Sequence, residues 1–373
     1  MVQSPWLVLY NAFAWIVCYI VTRYYSRREL NAIGVSNKQF EPKWFVYLLF
    51  LLNSLFIFYG GDNGRYQESV LLYSNLANID SEGLGGLEMI YRYLAFFVKG
   101  NYLLWKVVVY GLGLVFVYVI SLRLRINNYL FLYSFTLFVL TSYGSSRSVV
   151  AVLVYLLGLS FIEKRKKIQS LIGFAISICS IYFHSSLVLP VVLLPTVFIK
   201  VTRKSFFILL ALLPFAIELI NNMPEFLYGN ENFMDTSAGE KFANYTDGNV
   251  HGSGDSILRQ VHDYLTYIVV GILLFFSIKA DNKHRLSSTA SAIVRASFFL
   301  AYFAIVTGLS KIPGKWVLFY RYIEMILPIL FVIWPIIYLD RNVLSKQSSI
   351  RYEYIALLWN IVFLFKIVYH TVV

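Results

Sequence analysis

Charge is scarce in this chain. Asp, Glu, Lys and Arg make up 14% of its 373 residues, against roughly a quarter in an ordinary soluble domain. A soluble globule needs a polar surface, and this composition does not supply one. Cysteine is nearly absent: Cys18 and Cys179 are the only two, and both fall inside apolar stretches. That excludes a disulfide framework and a thiolate metal site. The five histidines show no His-x-x-x-His spacing, and no Asp/Glu ligand cluster accompanies them, so no bound metal is expected. No Gly-x-Ser-x-Gly elbow occurs, and no glycine group is followed by Lys and Ser or Thr, which argues against a hydrolase elbow and a nucleotide P-loop. No cofactor is expected either. Repeats, heptads and low-complexity tracts are missing, so residues 1–373 read as a single membrane domain with no soluble module. The absence of two inverted halves weighs against a transporter.

What the chain has in abundance is apolar sequence. Hydrophobic residues make up 58%, aromatics 18%, and the mean hydropathy is +0.65. Since about 20 apolar residues span the hydrocarbon core as a helix, the pattern predicts an all-α, polytopic integral membrane protein of about twelve transmembrane helices. The predicted spans are 6–22, 44–59, 102–120, 129–143, 147–162, 168–184, 186–199, 205–221, 261–278, 292–309, 319–339 and 353–370. Of these, 44–59 and 186–199 are short for a crossing. The first span is not a cleavable signal peptide, because positive charge follows it and no small-residue cleavage site is evident.

The loops between the spans alternate in charge. One set carries 20 of the 32 basic residues against six acids, from Arg23 to Arg28, at Arg123 and Arg125, in the run Lys164-Arg165-Lys166-Lys167, and onward to Arg351. Its net charge is +14, while the rest of the chain nets −2, in agreement with the overall +12. Lys and Arg in short loops mark the cytoplasmic side. Both termini and the two long polar segments, 60–101 and 222–260, are therefore expected outside. The positive balance is a topology signal, and no nucleic-acid partner follows from it.

Charges at membrane depth are costly and hence functional candidates. Arg147 opens the fifth span and His184 closes the sixth, with the basic turn 163–167 between them. Arg147 lies 16 residues before Glu163 and His184 lies 17 after Lys167. At the helical rise both stand about 24–26 Å above that turn. They emerge at matched outer depth on neighbouring helices, flanked by serines. Taken singly, Arg147 also reads as a snorkelling interfacial arginine, and His184 as an interfacial histidine bonded to backbone.

A second outer cluster contains Gly60-Gly61-Asp62-Asn63-Gly64-Arg65-Tyr66 and then Gly85-Gly86-Leu87-Glu88-Met89-Ile90-Tyr91-Arg92. Glu88 and Arg92 are spaced for an i, i+4 ion pair. A third holds Lys311, Lys315, Arg321 and Glu324, ahead of Pro328 and Pro335. Prolines are tolerated in a span where a neighbour satisfies the freed carbonyls. The segment 222–260 contains His251 and the acceptor-like triplet Asn244-Tyr245-Thr246, and ends at Arg259, His262 and Asp263. Together these residues suggest an outward pocket rich in arginine, whose planar fork suits phosphate and diphosphate.

At these residues the chain resembles the EpsG/Wzy family of bacterial polysaccharide polymerases, over roughly 55–330. The carriers are Asp62 to Tyr66, Glu88 to Tyr91, Arg147-x-x-x-Ala151, Phe183-His184-Ser185-Ser186 and Arg321-Tyr322. Where the family often has Glu-Pro or Glu-Pro-Gly before the tyrosine, this chain has Glu88-Met89-Ile90-Tyr91. The resemblance implies a GT-C-like fold and a transferase of the bacterial cytoplasmic membrane, with its active site on the outer face. It implies undecaprenyl-diphosphate-linked oligosaccharides as donor and acceptor, membrane lipids as surroundings, and a chain-length regulator as a candidate partner. Arg147, Arg321 and His184 are then the expected catalytic residues, and Asp62, Tyr66, Glu88, Arg92, Arg259 and Glu324 the substrate-binding ones. An imidazole, with an ordinary pKa of about 6.5, suits removal of the acceptor proton. His184 could equally bind diphosphate, with Glu88, Glu324 or Asp62 as base.

Three rivals stand beside this reading. A ligase moving finished glycan to a lipid-A core shares the donor and the pocket. A lipid-linked oligosaccharide flippase would line many spans with charge; here Lys106, Glu218, Arg295 and Lys366 are the deep exceptions. A glycan acyltransferase is the weakest, lacking a basic motif ending in His in the first span.

Overall fold

The computed structural model describes residues 5–32, 44–55, 62–79, 87–126, 129–143, 147–163, 166–228, 257–311 and 315–372. Every regular element among them is helical: α1 (Pro5–Ala32), α2 (Trp44–Leu55), α3 (Asp62–Leu72), α4 (Met89–Phe97), α5 (Tyr102–Arg123), α6 (Tyr129–Phe138), α7 (Leu140–Tyr143), α8 (Arg147–Phe161) and α9 (Lys167–Phe183). Then follow α10 (Val188–Val192), α11 (Arg203–Tyr228), α12 (Ile257–Asn282), α13 (Ser288–Leu309), α14 (Lys315–Leu330), α15 (Trp334–Leu339) and α16 (Lys346–Val372), with short 3-10 turns between some of them. The molecule is an all-helical membrane protein. Four stretches among the described residues are long and apolar enough to cross a bilayer by length and composition: Tyr102–Arg123, Arg203–Asn222, Gln260–Asn282 and Ser288–Leu309.

Among the described residues the apolar segments expected from hydropathy fall on helices, but two of them are broken. Residues 186–199 do not form one span. They break into a 3-10 turn at Ser185–Leu187, the five-residue α10, and a second 3-10 stretch at Leu194–Phe198. Pro190 and Pro195 explain the break, since each removes a backbone donor and crowds the preceding turn. The segment is held laterally instead: the Tyr155 hydroxyl of α8 donates to the Pro190 carbonyl at 3.0 Å.

A similar break in the eleventh apolar stretch is compensated by a neighbouring helix. Pro335 cannot donate to the carbonyl four residues back, that of Phe331. Ser134 of α6 donates its hydroxyl to that carbonyl at 2.5 Å, as the proline argument requires. Helix α6 is buried along its whole length, the expected place for a helix that is apolar on every face.

The contacts divide the bundle into two ends. At one, residues of the basic loops meet each other: Arg23 with Glu353 at 3.1 Å, Arg285 with Asp340 at 3.5 Å, Lys200 with His284 at 3.5 Å, and Arg123 with Gln169 at 3.4 Å. At the other end lie the N-termini of α5 and α8 and the C-terminus of α9. The chain turns there from α4 to α5 through Gly100 (φ +73°), where a Cβ would lie 3.0 Å from that of Ser74. Asn101 then caps α5, its side-chain oxygen accepting the Leu104 N–H at 3.0 Å.

Candidate functional site

The hairpin of α8 and α9 carries the site. Its two helices approach closely through Gly158 and Gly173, and its free ends present Arg147 and His184 side by side. Arg147 is the first residue of α8, and His184 caps the end of α9. Between them stands Glu88, at the N-terminus of α4. One carboxylate oxygen of Glu88 lies 2.6 Å from Arg147 Nη1, and the two side chains are only 9% and 8% exposed. The other oxygen faces His184 Nε2 at 4.0 Å. The guanidinium also stacks over Tyr66 at 4.2 Å and faces Tyr91 at 5.6 Å. A buried ion pair of this kind is retained at a desolvation cost, which marks it as more than a surface anchor.

Aromatic residues hold the group from behind. Tyr91 donates its hydroxyl to the Arg147 carbonyl at 3.5 Å, and Trp105 donates its indole N–H to the Tyr91 carbonyl at 3.3 Å. Burial, and then the Glu88 carboxylate, push the Tyr91 phenol well above its ordinary pKa, so it stays a neutral donor. Tyr102 stacks on Trp105 with centroids 5.9 Å apart. The Lys106 ammonium, fully buried, lies 5.8 Å from the Tyr102 ring and 5.9 Å from that of Tyr110.

His184 has a defined orientation. Its Nδ1 accepts the Ser186 backbone N–H at 3.2 Å and lies 2.7 Å from the Ser186 hydroxyl. Ser186 therefore fixes the ring.

The structure thus brings four of the sequence candidates together: Tyr66, Glu88, Arg147 and His184. It gives Arg92 another task. Its guanidinium donates to the carbonyls of Leu87 at 2.7 Å and Ile79 at 3.2 Å and lies over Tyr73 at 5.3 Å. The i, i+4 pairing with Glu88 does not form, because Glu88 turns toward Arg147. Arg92 instead ties down the residue preceding Glu88. Asp62 opens α3, but its side chain, like that of Arg259, lies outside the described residues. So do His251 and the Asn244 triplet.

Arg321 and Glu324 form a more open group, 3.9 Å apart with side chains 50% and 40% exposed. Beside them Tyr320 lies 3.3 Å from His262 Nδ1, which also faces Asp263 at 3.5 Å. Arg321 and His262 are far apart in sequence; α14 and α12 bring their segments together through Tyr320. Lys106 stands out in the sequence as a deep charge, and the tyrosines at i−4 and i+4 are the signal for its surroundings. Arg295 proves to be paired at the other end, bonded through two nitrogens to Asp281 at 3.1 and 3.3 Å. No group of three or more potential metal ligands occurs among the described residues.

These features define an all-helical membrane protein with a buried Arg–Glu ion pair beside a half-buried histidine at one end of its bundle. The chain belongs to the EpsG family, whose sequence model matches residues 43–372. Family and apolar helices together make it a membrane protein of polysaccharide biosynthesis, of polymerase type. No curated protein and no solved structure matches the chain.

Proposed function

We propose that the protein is a polysaccharide polymerase. It transfers a growing undecaprenyl-diphosphate-linked glycan onto a lipid-linked repeat unit at the outer face of the bacterial cytoplasmic membrane, in a GT-C-like bundle of about twelve crossings. The observation that carries this reading is the Glu88 carboxylate held between Arg147 and His184, at the bundle end away from the basic loops. The transfer breaks an anomeric carbon–oxygen bond and releases a lipid diphosphate, while an acceptor hydroxyl loses its proton. Arg147 and Arg321 offer fixed cations to the diphosphate, worth most in a site of low dielectric. Glu88 and His184 offer groups for the hydroxyl. Tyr66, Arg92, Glu324, Asp62 and Arg259 are the further candidates for holding substrate.

Membership of the EpsG family supports this reading. So does the fate of two of the four deep charges that would favour a flippase: Arg295 is neutralised by Asp281 among the basic loops, and Lys106 adjoins the tyrosines of the outer group. The test is purified protein in lipid nanodiscs given the lipid-linked repeat unit alone. A ladder of longer glycans is the expected product. Products that form only when a lipid-A core is added would mean a ligase, and movement of lipid across the bilayer without transfer would mean a flippase.

A further inference from the structure

The orientation of His184 decides which group can take the acceptor proton. A backbone N–H is always a donor, so the Ser186 N–H at 3.2 Å requires a lone pair on His184 Nδ1. The neutral ring then carries its proton on Nε2. That nitrogen faces Glu88 Oε1 at 4.0 Å. Presenting an N–H, it cannot accept a proton there. The carboxylate oxygen opposite it can.

We infer that Glu88 is the general base of the transfer and that His184 is the hydrogen-bond donor that positions the reacting oxygen; this rests on the polymerase reading above. Two atoms 4.0 Å apart are too far for a direct hydrogen bond, yet one oxygen fits between them at about 2.8 Å from each. An acceptor sugar hydroxyl in that gap accepts the His184 Nε2–H and directs its own proton at Glu88 Oε1. Its lone pair forms the new bond to the anomeric carbon of the donor. The bond from that carbon to the diphosphate oxygen breaks, and its electron pair leaves with the lipid diphosphate. The hydroxyl proton ends on Glu88.

The ion pair gives this step a second consequence. Before transfer, the Arg147 charge is matched by Glu88 at 2.6 Å. Once Glu88 is protonated, the Arg147 cation is no longer matched, at the moment the departing diphosphate gains a negative charge. Base and leaving-group stabiliser are thereby coupled through one carboxylate, in a setting where charge is weakly screened. Ser186 supports the arrangement by fixing the tautomer.

The experiment compares wild type, His184→Gln and Glu88→Gln, with turnover of the lipid-linked repeat unit followed across pH in nanodiscs. Glutamine retains an N–H donor at the Nε2 position, so His184→Gln should lose only about tenfold, the scale of one weakened hydrogen bond. Its pH profile should keep the wild-type shape. Glu88→Gln should lose on the order of 10²–10⁴ in rate, and formate should partly restore Glu88→Ala. A loss of about 10² or more in His184→Gln, with the acid limb gone, would make His184 the base and overturn the inference. So would a wild-type rate in Glu88→Gln. Should the Glu88 variants fail to accumulate, the rate and pH profile of His184→Gln decide alone. Wild type that elongates nothing would instead defeat the polymerase reading itself.

Discussion

Gly158 and Gly173 face each other across the α8–α9 hairpin so closely that a Cβ built on either would lie 2.6 Å from the carbonyl oxygen of the other. No real Cβ sits so near a backbone atom, and neither carbonyl can swing aside within its helix. The contact sets the spacing of two helices whose far ends carry Arg147 and His184. Gly158→Ala and Gly173→Ala should each lower stability by about 1–3 kcal/mol, the usual penalty for overpacking. Activity should fall further than stability, because splayed helices carry His184 away from Glu88. Thermal unfolding in detergent, beside turnover of the folded fraction, checks this. Wild-type turnover in a destabilised variant would show that the hairpin supports the fold without setting the site.

The ion pair between Glu88 and Arg147 predicts a pattern across three variants. Removing either partner strands a buried charge, at a cost of about 3–5 kcal/mol. Arg147→Met and Glu88→Gln should each lower the amount of folded protein in the membrane. The double variant leaves no charge stranded and should recover much of that loss. All three should fail to make polymer, since the chemistry needs the charges that stability does not. Arg147→Lys keeps the charge but loses the planar fork and its stacking on Tyr66, so it should also be inactive at near-normal abundance. A normal glycan ladder from Arg147→Lys would reduce the residue to an interfacial anchor.

Topology is open to direct labelling. The basic loops mark the cytoplasmic side, so position 249 should be external and position 166 internal. Cys18 is buried, whereas Cys179 is exposed, so the labelling background requires Cys179→Ser. In intact cells an impermeant thiol reagent should then modify Asn249→Cys and leave Lys166→Cys untouched. The reverse pattern would invert the orientation and with it the outward site.

Parts of this arrangement were legible in the sequence for physical reasons. The fixed rise of a helix placed Arg147 and His184 at one depth, and the structure sets both beside one carboxylate. The broken helix at Pro335 was equally readable, although its remedy, Ser134, comes from a distant element. Other features were hidden. Local spacing paired Glu88 with Arg92, but tertiary geometry gave Glu88 to Arg147 and Arg92 to two carbonyls. Hydropathy made 186–199 one span, when Pro190 and Pro195 were already there to break it. The pairing of Arg295 with Asp281 depends on how α12 and α13 meet, which no local pattern encodes.

Lys106 supplies the last prediction. Its side chain is fully buried, four residues along α5 from Tyr102 and four before Tyr110, with its ammonium within 6 Å of both rings. A lysine kept inside the bundle opposes stability through desolvation, and the faces of two tyrosines are among the contacts that offset that cost. Methionine has nearly the same length and no charge. Lys106→Met should therefore fold at least as well as wild type, with an equal or higher Tm. If the ammonium adds to the positive field that Arg147 presents to a diphosphate, the same variant should lose turnover, by about tenfold for each 1.4 kcal/mol of transition-state stabilisation removed. A more stable and slower enzyme is the expected result. Unchanged turnover would limit Lys106 to a structural role, and a marked fall in stability would show that its charge holds the fold together.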